Sequence, residues 1–155
     1  MFLSLLLGSF TVFLTMSIQI YAVVAILRYL IERISDSNKE ASKSYWFDTY
    51  ALSVVLLILF VGHLIQIAIW AQLFVWVGEF QHFSIAFYHS AVNFASLGYG
   101  DIVMSEKWRL MGALEASNGV LMFGLSAAAM YSIMQRVFAR YRPPKYHQKN
   151  HEDAG

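Results

Sequence analysis

Cysteine is absent from all 155 residues, which removes disulfides, thiolate metal sites and thiol nucleophiles together. Proline occurs only as the pair Pro143 and Pro144, which ends any helix ahead of a short basic tail. Charge is equally scarce: 14% of residues are Asp, Glu, Lys or Arg, where soluble domains carry about a quarter. None lies between Met1 and Leu27 or between Thr49 and Gly78, and Glu115 alone interrupts the stretch from Arg109 to Arg136. Each run exceeds the roughly 20 apolar residues that carry a helix across a bilayer. With 58% hydrophobic residues and a mean hydropathy of +0.51, the chain reads as an all-α integral membrane protein. No internal repeat is present, and no arginine recurs every third residue in the first two runs, so an arginine-type voltage sensor is excluded. The net charge of +1 gives no reason to expect a nucleic-acid partner.

The first run lacks a basic leader and ends in ILRYLIER instead of a small-residue cleavage site, so it reads as a retained helix and not a signal peptide. Helices are expected over about residues 3–30, 50–78 and 109–137. Tyr45, Trp46 and Phe47 suit an aromatic belt at the entry of the second helix, with Trp70 and Trp76 near its far end. The segments are thus an N-terminal helix (1–31), a polar connection (32–48), a unit of two helices and what joins them (49–137), and a basic tail (138–155).

Residues 80–100 also lack charge, yet they carry Gln81, His82, Ser84, His89, Ser90, Asn93 and Ser96 and finish in two glycines. A lipid-facing span could not tolerate the unsatisfied backbone of such a turn. A short helix over about residues 83–95, followed by an extended loop that returns to the same side, fits better. Lysine and arginine placement agrees: Arg28, Arg33, Lys39 and Lys43 mark the connection, and Arg136, Arg140, Arg142, Lys145 and Lys149 mark the tail. The positive-inside rule puts both in the cytoplasm and the glycine loop outside. The chain is then multi-pass in the cell membrane, with an external N-terminus and a cytoplasmic C-terminus.

The loop reads Ser96-Leu97-Gly98-Tyr99-Gly100-Asp101. It resembles the TVGYGD selectivity filter of the potassium-channel pore-loop family, and the resemblance extends over about residues 50–137. FYHSAVNFA stands in the place of the family's pore helix, and NGVLMFGLSAAAM resembles its inner helix. The resemblance implies three transmembrane helices per subunit, a re-entrant pore helix and a filter, assembled as a homotetramer within membrane lipid. It implies that backbone carbonyls of Ser96, Leu97, Gly98, Tyr99 and Gly100 replace the hydration shell of potassium. No cofactor is implied beyond the permeant ion.

The same match puts Asp101 at the outer mouth and Tyr88, His89 and Asn93 behind the filter. It puts Gly119 at the gating-hinge position, with Phe123 and Gly124 also corresponding. Val120, Phe123, Ala127 and Tyr131 would line the cavity, and their spacing keeps them on one helical face. Ser96 and Leu97 replace the family's usual Thr and Val, which loosens the packing behind the filter and implies weaker selectivity. Val92 stands where some members carry a glutamate. Glu115, a carboxylate within a span, either hydrogen-bonds His89 or Asn93 behind the filter and tunes its stability, or forms a structural pair with a neighbouring helix or lies exposed near the outer interface. His63 and Gln66, three apart on the second helix, are candidates to cross to Glu115, but interhelical packing suits them better. Two rivals stay open: a non-conducting sensor or accessory subunit of the same fold, and a redox protein binding haem through His63 and His89.

Overall fold

The computed structural model describes residues 2–37 and 45–139. Four helices follow in order: α1 (Phe2–Ser37), α2 (Tyr45–Trp76), α3 (Phe83–Phe94) and α4 (Arg109–Ala139), with no strand among the described residues. Phe2–Tyr29, Asp48–Trp76 and Arg109–Phe138 are each long and apolar enough to cross a membrane, so the protein is a membrane protein with three candidate spans. The helices outrun the expected bounds at the polar connection: α1 continues to Ser37, and α2 already includes Asp48. Acidic Asp48 in the first turn of α2 complements the positive end of that helix's dipole. The middle of the connection (38–44) and nearly all of the basic tail (140–155) lie outside the described residues.

α2 ends where it does for a backbone reason. The Gly78 N–H donates to the Val75 carbonyl at 3.1 Å and the Glu79 N–H to the Phe74 carbonyl at 3.0 Å, with Gly78 at φ +77°. This is a Schellman stop, in which glycine adopts the left-handed conformation without a Cβ clash. The turn drops the chain into α3, which packs between α2 and α4. Glu79 then reaches across to the loop entering α4: its carboxylate accepts both the Ser105 N–H (2.5 Å) and the Ser105 hydroxyl (2.6 Å). The loop after Asp101 is therefore tied at one end to the α2 terminus.

The main core fills the outer half of the bundle. Trp70, Ala71 and Phe74 of α2, Ala86 and Phe94 of α3, Trp108, and Met111 and Met122 of α4 form one buried cluster. A second cluster nearer the α1–α2 connection joins Val23 and Ile26 of α1 to Val55 and Leu59 of α2 and to Ala129 and Ile133 of α4.

α1 has an inside-out amphipathicity. Its buried face is Ser4, Gly8, Thr11, Thr15 and Gln19, while Leu6, Phe10, Phe13 and Ile20 point outward. Lipid is as apolar as leucine, so membrane helices associate through small residues and hydrogen bonds instead of burying oil. Gly8 illustrates the small-residue part: a Cβ there would come within 2.5 Å of Leu114 Cδ1 on α4.

Candidate functional site

α3 delivers its C-terminal end, and the non-helical segment that follows, to the inner side of the α2–α4 pair. The Ala95 and Ser96 N–H groups bond back to Ala91 (3.1 Å) and Asn93 (2.8 Å), and Leu97 reaches Val92 (2.9 Å). From there the backbone leaves the helix. Ser96, Gly98 and Gly100 have φ of 57°, 59° and 75°, and Ser96 is the sole non-glycine with positive φ among the described residues. Left-handed conformers thus fall at every second residue, with Leu97 and Tyr99 outside the positive-φ region. The glycines adopt this freely, whereas Ser96 bears a local cost that its surroundings must offset. No backbone carbonyl from Ser96 to Gly100 accepts a backbone hydrogen bond among the described residues, and all five residues are exposed in the single chain. Exposed carbonyls of this kind are open to water or to a cation.

Behind this segment lies a cavity of about 230 Å³, with Gly98, Tyr99 and Gly100 on one wall and His89, Val92 and Asn93 on another. The Asn93 amide nitrogen donates to the Gly112 carbonyl (2.7 Å) and to Glu115 Oε2 (2.8 Å), so Glu115 of α4 meets Asn93 of α3. Glu115 is fully buried. His89 does not join that pair: its ring sits against Phe74 and Phe80 at 5.8 and 5.1 Å. Burial holds its imidazole below the ordinary value, despite a hydrogen bond with the Ile102 backbone. Removing the buried acceptor by Glu115→Leu strands one Asn93 N–H, at about 1–3 kcal/mol. Glu115→Gln keeps an acceptor there. Thermal unfolding in detergent should therefore fall for Leu and hold for Gln, and equal losses would deny the bond its role.

On the outer side, the Tyr88 hydroxyl donates to Asp101 Oδ2 at 2.8 Å, joining α3 to the residue that closes the loop. That hydrogen bond, then partial desolvation and the carboxylate's charge, hold the phenol above its ordinary value, so it remains a donor at neutral pH. Tyr99 is exposed on the single chain.

Below the loop, Gly119 is buried directly under the C-terminus of α3. A Cβ on it would fall well inside contact distance of the Phe94 carbonyl oxygen, so the glycine permits a close backbone crossing. α4 runs unbroken past it, and Gly124, by contrast, has open space where a Cβ would go. Val120, Phe123, Ala127 and Tyr131 are all exposed on one side of α4, with Phe123 edge-on to Phe94 at 5.7 Å.

His63 and Gln66 do not cross to Glu115. Gln66 donates to Gln19 (2.7 Å), and His63 Nε2 lies 3.2 Å from the Ser126 hydroxyl. His63 packs among Phe94 and Phe123 while His89 packs among Phe74 and Phe80, so the two histidines occupy separate aromatic clusters. Sequence reasoning missed the residues that bind α1 to the rest: Thr15 to Asn118 (2.8 Å) and Gln19 to Ser126 (2.8 Å). The signal was present as polar residues at positions 4, 11, 15 and 19, which fall on one face of a mostly apolar helix.

No curated protein and no solved structure matches the chain. Residues 52–136, more than half of its length, match the family described as "Ion channel". That span takes in most of α2, the whole of α3, the loop with its three positive φ angles, and nearly all of α4. The chain therefore belongs to the ion channel family, of the two-transmembrane pore-loop type.

Proposed function

We propose that four copies of this chain surround a central axis and conduct potassium passively through a filter of backbone carbonyls from Ser96 to Gly100. The observation that carries the reading is the alternation of positive φ at Ser96, Gly98 and Gly100, with carbonyls that accept no backbone hydrogen bond from their own chain. Removing water from a potassium ion requires oxygen ligands in a similar cage, and four such loops supply rings of them. One loop supplies a quarter of each ring, and closed cyclic symmetry supplies the rest. α3 acts as the pore helix, whose C-terminal dipole end favours a cation below the filter. Asp101 from each subunit concentrates cations at the outer mouth. Val120, Phe123, Ala127 and Tyr131 line the cavity, and their exposure on a lone subunit accords with that. Charge placement sets the N-terminus outside and the C-terminus in the cytoplasm. The reading requires no chemical step and no resident cofactor.

Purified protein in liposomes should admit potassium faster than sodium, from particles with the mass of four chains. Equal uptake of both ions by an assembled tetramer would sink the selective-filter reading. An assembled tetramer passing neither ion would favour the non-conducting accessory subunit.

Tyr88→Phe removes the hydroxyl that holds Asp101 while sparing the ring. The tetramer should assemble normally, but sustained potassium currents should decay severalfold faster as the loop loses its outer tie. Currents as persistent as those of the unaltered protein would show that Asp101 is held by something else.

A further inference from the structure

α1 is joined to both helices of the pore unit by buried side-chain hydrogen bonds. Thr15 accepts from Asn118 on α4 at 2.8 Å. One turn further on, Gln19 uses both ends of its amide: its oxygen accepts from Gln66 on α2 (2.7 Å), and its nitrogen donates to Ser126 on α4 (2.8 Å). The Ser126 hydroxyl in turn faces His63 Nε2 on α2 at 3.2 Å. Gln19 and Gln66 are fully buried, as is Thr15, and Asn118 is nearly so. Gly62 leaves room for this junction, since a Cβ there would lie 3.0 Å from Gln19 Oε1.

The two bonds to α4 fall on either side of Gly119, at Asn118 and at Ser126. The Ser126 bond also lies beyond Gly124, where a helix without side-chain crowding bends most readily. The face of α4 that meets α1 and α2 carries Asn118, Met122, Ser126, Ala129 and Ile133. At about 100° per residue, it lies well away from the face of Val120, Phe123, Ala127 and Tyr131. α1 therefore grips the inner helix from behind.

We infer that Gln19 is a positioning residue that tethers the inner half of α4 away from the pore axis and so favours the open channel. This rests on the potassium-channel reading above. Without the Gln19 bond, the inner half of α4 keeps only the His63 contact at Ser126 and leans more readily toward the axis, where the exposed face of each subunit meets its counterparts. A hydrogen bond between helices in a membrane is modest, so the tether biases an equilibrium and does not lock it.

Single-channel recording of Gln19→Leu and Ser126→Ala should show the open-to-closed ratio lowered about three- to tenfold, the range such bonds support. Unitary conductance and the potassium-to-sodium ratio should stay unchanged. Ser126→Thr, which keeps the hydroxyl, should behave as the unaltered protein does. The double variant Gln19→Leu with Ser126→Ala should fall no further than Ser126→Ala alone, which already lacks the Gln19 bond and also loses the His63 contact. Additive losses, or an unchanged ratio, would overturn the tether.

A second readout does not depend on conduction. The chain has no cysteine, so Phe138→Cys gives a unique spin-label site at the exposed cytoplasmic end of α4. Label-to-label distances across the tetramer should shorten in the Gln19→Leu background, and unchanged distances would contradict the proposal. A protein that conducts nothing in any form removes the channel reading while these distances still decide the tether. Should Gln19→Leu fail to assemble, Ser126→Ala, which deletes one oxygen, carries both measurements.

Discussion

Gly98→Ala is expected to abolish potassium flux while leaving the subunit folded and assembled. Gly98 sits at φ +59° with nothing within 4 Å of where a Cβ would stand. The substitution therefore meets no steric wall inside the subunit. What it meets is backbone strain, about 1–2 kcal/mol for an L-residue held left-handed. That cost is small beside the packing of the bundle, but it acts on the residue whose conformation sets where the adjacent carbonyls point. In a tetramer the change is repeated four times around one ion path. Relaxing to negative φ rotates the flanking peptide planes and removes oxygen ligands from the ring, so selective dehydration of the ion loses its compensation.

Gly78→Ala separates strain from site. Gly78 has φ +77° and equally open surroundings, but it terminates α2 in the turn before Glu79. It should lose comparable thermal stability and retain flux. If both variants lost flux alike, or Gly98→Ala kept it, the carbonyl path would not run through this loop.

Gly119→Ala should be the most destabilising single methyl addition in the chain. The added Cβ points into the Phe94 carbonyl, a backbone atom at the end of a helix that cannot rotate aside as a side chain would. Overpacking of cores typically costs about 1–3 kcal/mol, and a backbone obstacle puts this site at or above the upper end. α3 and α4 would have to separate, pulling Phe94 from Phe123 and shifting the start of the loop. Gly124→Ala, facing open space, should leave thermal stability near the unaltered value and slightly favour the helix. Unfolding of the detergent-solubilised tetramer compares the two directly. A Gly119 that acted only as a flexible hinge would give the opposite pattern, with stability kept and gating altered.

Gly119 also shows where reading the sequence stops. The three apolar runs, the short helix from Phe83 and the loop around Tyr99 were legible because hydrophobic length and glycine placement are local properties. The neighbour that makes Gly119 necessary is Phe94, 25 residues earlier, and no local pattern reveals that contact. Glu115 was visible as a costly carboxylate, and Asn93 was one of its two named partners. The choice between Asn93 and His89 depended on which side chain the crossing of α3 and α4 presents. The left-handed backbone of Ser96 is not legible in the sequence, since the residue type argues against it. α1 was read for its apolar face because hydropathy sees that face. The polar face that binds it to Asn118, Gln66 and Ser126 is the one that decides its position.

The central claim is selective conduction through the backbone of Ser96 to Gly100, and the reversal potential across a planar bilayer tests it most directly. With potassium on one side and sodium on the other, currents from the purified tetramer should reverse far toward the potassium equilibrium potential, and Gly98→Ala should remove them. Open channels that reverse near zero under those conditions would mean that potassium and sodium pass alike, which would contradict a filter of carbonyl rings in this loop.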